Sequence, residues 1–383
     1  MKICFKILAL CCAVTMTMTM MTVAFAAAPK GEIKVGAVFP MTGPSATFGQ
    51  ESVNGIKMGL ATINKAGIKG QALKVIFEDD KGEPVEAANA VRKLINIDKV
   101  VTLLGSVASS NTLAAAPIAQ EAKIPLITPA STNEKVTMAG DYISRTCFTD
   151  DFQGVVMAKF AFESLKKTRA AIIVDNSSDY SKGLSKVFRE KFTALGGTIV
   201  GKSEYAYQQK DTDFRSLLQK IKRENPDVIW LPGYYTEAGL ILKQAREMGM
   251  NLPFLGGDGW DSATLQKLAG PEGIKGNYIS SHFSSEDKDP MVQNFVKEYT
   301  KLYKQAPGAM AALGYDVIFV LADALKRAKT FGPEDIKMAI NSTTNFQGIT
   351  GNITIDKNRN AQKSAVVLET TANGFAFKQK VAP

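Results

Sequence analysis

The sequence predicts an α/β fold in which two successive series of strands and helices each build a doubly wound parallel sheet. Three observations favour this fold: short β-rich runs alternate with helical periodicity, the runs are apolar without clear alternation, and the pattern occurs twice in the 383-residue chain. Continuous apolar runs suit strands that are buried on both faces of a parallel sheet. Strand–helix alternation predicts βαβ units in a three-layer architecture.

The predicted elements follow this pattern in order. The first series begins at Ile33 and reaches about Cys147, and the second begins near Ala170 and reaches about Phe283. The predicted strands are residues 35–39, 75–77, 100–104, 126–127, 170–174, 198–200, 228–231 and 254–255. Helices show apolar residues three and four positions apart, as in the faces formed by Phe214, Leu217, Leu218 and Ile221 and by Val292, Phe295, Val296, Tyr299, Leu302 and Tyr303.

Three more strands are predicted in the C-terminal tail, after residues 346–351 interrupt the helical region. They are residues 353–355, 365–368 and 375–377. Because backbone groups of a strand need hydrogen-bond partners, we expect this tail to pair with a sheet that is formed earlier in the chain.

The N-terminus predicts a signal peptide over residues 1–26. Lys2 and Lys6 are followed by an uncharged, largely apolar stretch that ends at Ala24-Phe25-Ala26. Small residues at these positions suit cleavage after Ala26, with Ala28 as the alternative. The stretch is also long enough for a membrane anchor, but its Ala-rich end and the lack of basic residues beyond it favour cleavage and export.

Composition is consistent with an exported two-domain protein. Cleavage leaves Cys147 as the one remaining cysteine, which predicts a chain without an internal disulfide. The rest of the chain is long enough for two domains, and no later segment has the apolar length of a membrane span. The formal net charge is +9. The basic residues are dispersed among acids, which predicts a solvated surface and no nucleic-acid partner.

The sequence disfavours catalysis, metal binding and a bound cofactor. His282 is the one histidine, and no Gly-x-Ser-x-Gly motif accompanies it. His282 and Cys147 are too few for a zinc or iron site. Residues 196–203 spell a phosphate-binding loop, but residues 198–200 are strand-like and no helical pattern follows. A hydrolase based on carboxylates is the one enzyme class left open, because the acid pairs at 79–80 and 150–151 carry no diagnostic motif.

Candidate ligand residues follow the predicted strands, because ligands of open α/β sheets bind beyond the carboxyl ends of strands. Ser109 and Ser110 follow residues 100–104, and Ala130, Ser131 and Thr132 follow residues 126–127. The serines are good helix caps, and a helix N-terminus with hydroxyl groups also suits a carboxylate or phosphate. Two such loops facing one cleft indicate an anion site.

The second series offers aromatic and acidic residues at the matching places. Tyr180 follows residues 170–174, Tyr234 and Tyr235 follow residues 228–231, and Asp258 lies between glycines after residues 254–255. Asp258 is either a turn residue or a carboxylate that pairs with an ammonium group. Hydroxyl groups on one unit and an acid with tyrosines on the other match a zwitterion.

Four segments together resemble the periplasmic leucine/isoleucine/valine-binding proteins. They are residues 33–55 (IKVGAVFPMTGPSATFGQESVNG), 105–129 (GSVASSNTLAAAPIAQEAKIPLITP), 234–246 and 256–261 (GGDGWD). Gly314-Tyr315-Asp316 and residues 346–351 extend the resemblance over the mature chain. It implies a type I periplasmic-binding fold, with two lobes, a three-strand hinge and a ligand cleft. The implied hinge crossings lie near Phe148, His282 and Thr350, and the implied lobes are 27–147 plus 283–349 and 148–282 plus 350–383.

The resemblance also implies roles for individual residues. Ser109 matches the serine that binds the ligand carboxylate, Ala130 and Thr132 match the following loop, and Asp258 matches the acid that binds the ammonium group. The remaining implied ligand residues are Phe48 in the side-chain pocket, Tyr180, and Tyr234 or Tyr235. Ser110 and Ser131 are further candidates because of their places in the two loops rich in hydroxyl groups. Ala108 stands where the family has a disulfide cysteine. His282 is interpreted as a core or surface residue.

The function implied by the resemblance is a monomeric periplasmic receptor of an ABC transporter. It would bind an L-amino acid, with a branched-chain side chain favoured, and deliver it to an integral-membrane permease. The alternatives are a receptor for another carboxylate, an aromatic acid or an amide, and the carboxylate-based hydrolase. Asp258 favours the amino acid because a ligand without an ammonium group gives that acid no partner.

Overall fold

The computed structural model describes residues 31–201 and 205–383. The predicted signal peptide, residues 1–26, lies outside these described residues. Within the two described ranges, no helix combines the length and apolar character needed to cross a membrane.

The N-terminal part of the chain builds a fully parallel five-stranded sheet. Its strands are β1 (Glu32–Phe39), β2 (Ala72–Asp79), β3 (Thr102–Gly105), β4 (Leu126–Thr128) and β5 (Ile143–Arg145), in the spatial order β2-β1-β3-β4-β5. Its helices are α1 (Ala46–Ile63), α2 (Pro84–Asn96), α3 (Ser109–Glu121) and α4 (Lys135–Met138). After β1 the chain continues to one edge of the sheet, at β2, and after β3 it continues toward the other edge, through β4 and β5. Loops after these two strands therefore meet at a topological switch point, where such sheets bind ligands.

The second sheet repeats this winding. Its parallel strands are β6 (Arg169–Asp175), β7 (Thr198–Ile199), β8 (Tyr205–Tyr207), β9 (Val228–Trp230), β10 (Phe254–Gly256) and β11 (Asn277–Ser281). Their main order is β7-β6-β9-β10-β11, and β8 also pairs with β6. The helices are α5 (Asp150–Lys159) with a π-helical turn at Phe160–Ser164, α6 (Asp179–Ala194), α7 (Arg215–Arg223), α8 (Tyr235–Glu247), a 3-10 turn at Asp258–Trp260, and α9 (Ala263–Gly273).

The rest of the chain returns to both units. Helices α10 (Pro290–Tyr303), α11 (Ala309–Arg327) and α12 (Pro333–Asn341) precede β12 (Phe346–Gly348), β13 (Gly351–Ile355), β14 (Ala361–Gln362), β15 (Ala365–Thr371) and β16 (Gly374–Val381). As predicted for the tail, β15 pairs antiparallel with β11, and β16 pairs with β15. The predicted strand at 353–355 instead joins β12 and β14 in a small antiparallel sheet. The lobe boundaries stay a prediction.

Helix α11 packs on α1 of the first unit with direct backbone contact. A Cβ atom on Gly314 would lie 2.2 Å from the Ser52 carbonyl oxygen, and one on Gly55 would lie 2.0 Å from the Ala311 carbonyl oxygen. Both distances are far below van der Waals contact, so only glycine permits this approach. The contact joins the late helix α11 to the first unit.

Two further contacts fix the connections between the units. The rings of Phe148 and His282 stack with centroids 3.6 Å apart. Asp316 of α11 accepts hydrogen bonds from the backbone N–H groups of Ile349 at 2.7 Å and Thr350 at 2.8 Å. The Thr350 hydroxyl donates to the same carboxylate at 2.6 Å. Segments that the resemblance places at the hinge are therefore held by stacked rings and a buried acid.

As predicted, the phosphate-loop spelling at 196–203 does not join a strand to a helix, because it contains strand β7 and the next described element is strand β8. Its Lys202 and Ser203 lie outside the described residues. Cys147 is buried with a free thiol, and burial raises its pKa to about 12.

Candidate functional site

The loop between β3 and α3 presents a helix N-terminus to the space between the units. The backbone of Ala108 is extended, and Thr112 N donates the first backbone hydrogen bond of the helix to the Ala108 carbonyl at 3.1 Å. The amides of the residues between them have no acceptor within the helix and form its positive end. Ser109, 1% exposed, accepts a hydrogen bond from Asn133 N at 3.2 Å. Its own hydroxyl proton can be donated elsewhere.

The loop after β4 places a second hydroxyl group beside the first. Thr128 Oγ1 accepts from Ser131 N at 2.9 Å and Ala130 N at 3.3 Å, which fixes a tight turn. Thr132 is 1% exposed, and its hydroxyl group lies near the Asp150 carboxyl group. It makes no well-formed hydrogen bond within the described residues, so this atom is available for a ligand.

Asp258 lies across the cavity from these two loops. It belongs to the 3-10 turn after β10 and is 3% exposed. Its Oδ1 accepts from the Tyr180 hydroxyl at 2.9 Å and from Gln153 Nε2 at 3.0 Å. Its Oδ2 lies 3.0 Å from His282 Nε2.

His282 is neutral in this arrangement. Burial lowers its pKa, and the hydrogen bond to Asp258 offsets only part of that effect. Because a carboxylate oxygen only accepts, the Nε2 atom of the neutral ring carries the proton and donates it to Asp258. His282 therefore holds Asp258 in place without neutralising its charge.

Gln153 connects Asp258 to a second buried acid, Asp150. Gln153 Nε2 donates to Asp150 Oδ1 at 3.0 Å, and its Oε1 accepts from Ser280 Oγ at 2.9 Å. Burial and the nearby charge of Asp258 raise the pKa of Asp150 to about 8. Asp150 therefore favours its neutral form at neutral pH.

Aromatic rings from both units form the walls. Phe48 of α1 packs edge-on against Tyr234 and Tyr235, with ring centroids 6.2 Å and 4.7 Å apart. Tyr180 stacks on Tyr234 with centroids 5.3 Å apart. Burial raises the pKa of both stacked tyrosines far above the ordinary value, so their hydroxyl groups stay protonated.

The structure brings seven of the ten predicted site residues together around one small cavity. About 220 Å³ of space not filled by atoms lies between these residues, including part that is open to solvent. The predicted residues in its lining are Phe48, Ser109, Ala130, Thr132, Tyr180, Tyr234 and Asp258.

The other three predicted residues lie outside the cavity lining. Ser131 Oγ forms hydrogen bonds with Thr112 Oγ1 at 2.6 Å and with two backbone carbonyls of the loop after β3. These bonds join the loop after β4 to the loop after β3. Ser110 Oγ donates to Asp179 Oδ2 at 3.0 Å. The Tyr235 hydroxyl accepts from Thr47 N at 3.2 Å. The Ser110 and Tyr235 contacts bridge the two units, so these side chains act between lobes instead of facing the cavity.

Val107, Gly259 and Met310 also line the cavity and were not predicted. Val107 lies inside the loop that carries Ser109, so its position after the strand was an available signal. Met310 lies in the first turn of α11, and no local sequence pattern indicates that it lines a site. Gln153 and His282 were likewise not predicted to support the site, because their role depends on contacts with a distant turn.

This geometry, with complementary groups of two lobes around a small closed cavity, defines a solute-binding protein. Residues 32–374 match the family model described as periplasmic binding protein, and the chain belongs to that family. The type I periplasmic-binding fold predicted from the sequence is confirmed.

Three solved structures are similar to this chain over most of its length. The leucine binding protein LivK of Thermotoga maritima superposes with a TM-score of 0.88 at 39% identity, covering 92% of this chain and 99% of that one. LivJ of Streptococcus pneumoniae in complex with isoleucine gives a TM-score of 0.86 at 34% identity, covering 92% and 100%. A solute binding protein of Rhodopseudomonas palustris in complex with 3,4-dihydroxy benzoic acid gives 0.82 at 27%, covering 92% and 96%.

Proposed function

We propose that this chain is the extracytoplasmic receptor of an ABC transporter. It binds one L-amino acid with a branched aliphatic side chain between its lobes and delivers that amino acid to a membrane permease. The observation that carries the proposal is that the Thr132 hydroxyl of one unit and the Asp258 carboxylate of the other line the same small cavity. Similarity to LivK and to LivJ with its bound isoleucine supports the same ligand class.

The first lobe binds the ligand carboxylate. Ser109 and Thr132 each offer a hydroxyl proton, and the N-terminus of α3 adds positive charge from its backbone amides. These groups are buried, so they exchange little with water and hold a carboxylate strongly.

The second lobe binds the ligand ammonium group. A carboxylate has about four lone-pair positions, and Tyr180, Gln153 and His282 occupy three of those on Asp258. One position is left for an ammonium proton.

The side chain of the ligand meets an apolar wall. Phe48, Val107 and Met310 supply it, and Asp258 is the one charged side chain among the described residues that line the cavity. An aliphatic side chain gains from burial there, whereas a charged one would lose hydration without a partner.

Direct contacts between the lobes close the site. Thr236 Oγ1 donates to the Pro44 carbonyl at 3.0 Å, and Asn133 Nδ2 donates to the Asp179 carbonyl at 2.8 Å. Because the cavity lining is buried, the ligand enters only when these contacts separate. Hinge closure around a ligand is the established motion of such two-lobed proteins. The chain acts as a monomeric receptor without turnover in the periplasm.

A receptor for an aromatic or other carboxylate without an ammonium group is the second candidate. Asp258 already accepts three hydrogen bonds within the protein, so it is compensated before any ligand binds. The Rhodopseudomonas palustris protein with 3,4-dihydroxy benzoic acid has the same overall fold.

A thermal-shift screen of the exported chain separates these candidates. The compounds are leucine, isoleucine and valine, the 2-oxo acid analogue of leucine, benzoate and acetamide. A ligand at about 100 times its dissociation constant adds about 2.7 kcal/mol of stability. We expect the three branched amino acids to raise the melting temperature most. A shift with benzoate and none with any amino acid would establish the second candidate instead.

A further inference from the structure

A second opening between the lobes shares no lining residue with the ligand cavity. It contains about 1020 Å³ of space, including part that is open to solvent. Its lining comes from α1, the start of α9, the segment before α10, the segment before α11, and the β15–β16 hairpin. We name it the acidic pocket because its lining, within the part of the chain that the structure describes, includes Glu51, Asp261 and Glu286 and no lysine, arginine or histidine.

Glu51 is the feature of the acidic pocket that indicates a ligand. Its side chain is only 7% exposed, and no described residue donates a hydrogen bond to its Oε2. A Cβ atom on Gly308 would lie 2.6 Å from Glu51 Oε2 and 3.5 Å from Asp261 Oδ1. The two carboxylates therefore lie near each other beside the backbone of Gly308, which only a glycine permits.

Asp261 is only partly satisfied by the protein. Its Oδ2 accepts from the Ser281 hydroxyl, and its Oδ1 has a long contact of 3.5 Å with Ala309 N. Two buried carboxylates at close range repel each other unless a proton or a cation lies between them. Burial and the Asp261 charge raise the pKa of Glu51 to about 8, and burial raises that of Asp261 to about 6. The other titratable groups that face Glu51 are Tyr235 and Tyr299.

The rest of the lining indicates which cation fits. Gln266, Gln305 and Ser262 offer oxygen atoms that accept N–H bonds, and Phe283, Pro307 and Phe375 form an apolar wall. Among the described residues, no group of three or more metal-binding side chains is placed to hold a metal ion. Hydrogen-bond acceptors next to an apolar wall suit an ammonium group on a short hydrocarbon.

We propose that the acidic pocket is a second ligand site, which takes a small organic cation with a primary ammonium group. The ammonium group lies between Glu51 and Asp261, and its hydrocarbon lies against the apolar wall. Because the binding groups come from α1 on one side and from the turn before α9 on the other, the cation joins the two units independently of the amino-acid cavity.

Calorimetric titration of the exported chain with n-butylammonium chloride at about pH 8 tests this site, since Glu51 has its pKa there. Butan-1-ol is the matched uncharged ligand, and sodium chloride controls for ionic strength. We expect saturable binding of n-butylammonium and none of butan-1-ol. Equal saturation by the alcohol, or no saturable heat with the amine, would overturn the proposal.

Variants then locate the site. Glu51→Gln and Asp261→Asn each keep the side-chain shape, and we expect each to weaken amine binding at least about tenfold, because hydrogen bonds to charged groups are the strong ones. Glu190→Gln changes an exposed glutamate of α6 and is expected to leave binding unchanged. Wild-type affinity in either folded pocket variant would rule out this location. Circular dichroism identifies a misfolded variant, and the other pocket variant then decides.

Discussion

Replacement of Asp258 by Asn changes the charge that faces the ligand and preserves the shape around it. Tyr180 and Gln153 both donate to Oδ1 of Asp258, and the Asn side chain keeps an acceptor oxygen there. His282 Nε2 then faces an amide N–H instead of a carboxylate oxygen. The ring accommodates this by moving its proton to Nδ1, an atom that has no partner among the described residues.

The size of the effect follows from the interaction that is lost. A hydrogen bond to a charged group contributes about 1.5–3 kcal/mol. With about 1.4 kcal/mol per factor of ten in affinity, Asp258→Asn should weaken leucine binding roughly ten- to 150-fold. The 2-oxo acid analogue of leucine lacks the ammonium group, so its affinity should stay nearly unchanged.

Isothermal titration with both ligands measures this difference directly. Asp323→Asn is a matched control, because Asp323 is a partly exposed acid of α11 that pairs with Arg327. The control should bind both ligands like the wild type. Unchanged leucine affinity in Asp258→Asn, or equal weakening of leucine and its 2-oxo analogue, would refute the role of Asp258 as the ammonium partner.

Three further predictions test other parts of the molecule. Thr132→Val should weaken leucine and its 2-oxo analogue alike, by about tenfold or more in titration, because both carry the carboxylate that the hydroxyl binds; a selective loss of leucine would contradict this. Gly314→Ala should destabilise the chain by about 1–3 kcal/mol in urea unfolding through the clash with the Ser52 carbonyl, whereas Gly31→Ala, whose nearest atom lies at 3.5 Å, should not. Folded Glu51 keeps its proton up to a pKa of about 8, against 4.5 when unfolded, so wild-type stability relative to Glu51→Gln should fall as pH rises between these values; a constant difference in urea unfolding would refute this.

Most strands were predictable because their residues are buried on both sheet faces. Strand β6, for example, is buried from its second residue onward and reads as one apolar run. Strand β11 was not predicted because it carries Asn277, Ser280 and Ser281. The Asn277 amide donates to the Gly273 and Ile274 carbonyls at 2.9 Å and 3.1 Å. The burial of Asn277 therefore depends on tertiary contacts, which the local sequence pattern does not show.

The candidate site likewise has residues that the sequence predicts and residues that it does not. Ser109, Thr132 and Asp258 follow strand ends, and parallel sheets bring such loops to one edge, so their positions were predictable. The support of Asp258 by Gln153 and His282 was not. These residues come from α5 and from the end of β11, and only the assembled fold places them beside the turn.

A crystal structure of the protein with L-leucine would show directly whether the cavity binds the amino acid. We expect leucine in the cavity between Phe48 and Asp258. Its carboxylate should lie within about 3.2 Å of the Ser109 and Thr132 hydroxyl oxygens, and its ammonium group should lie within the same distance of Asp258. Leucine bound in another place, or with its two charged groups exchanged, would contradict the proposed roles of these residues.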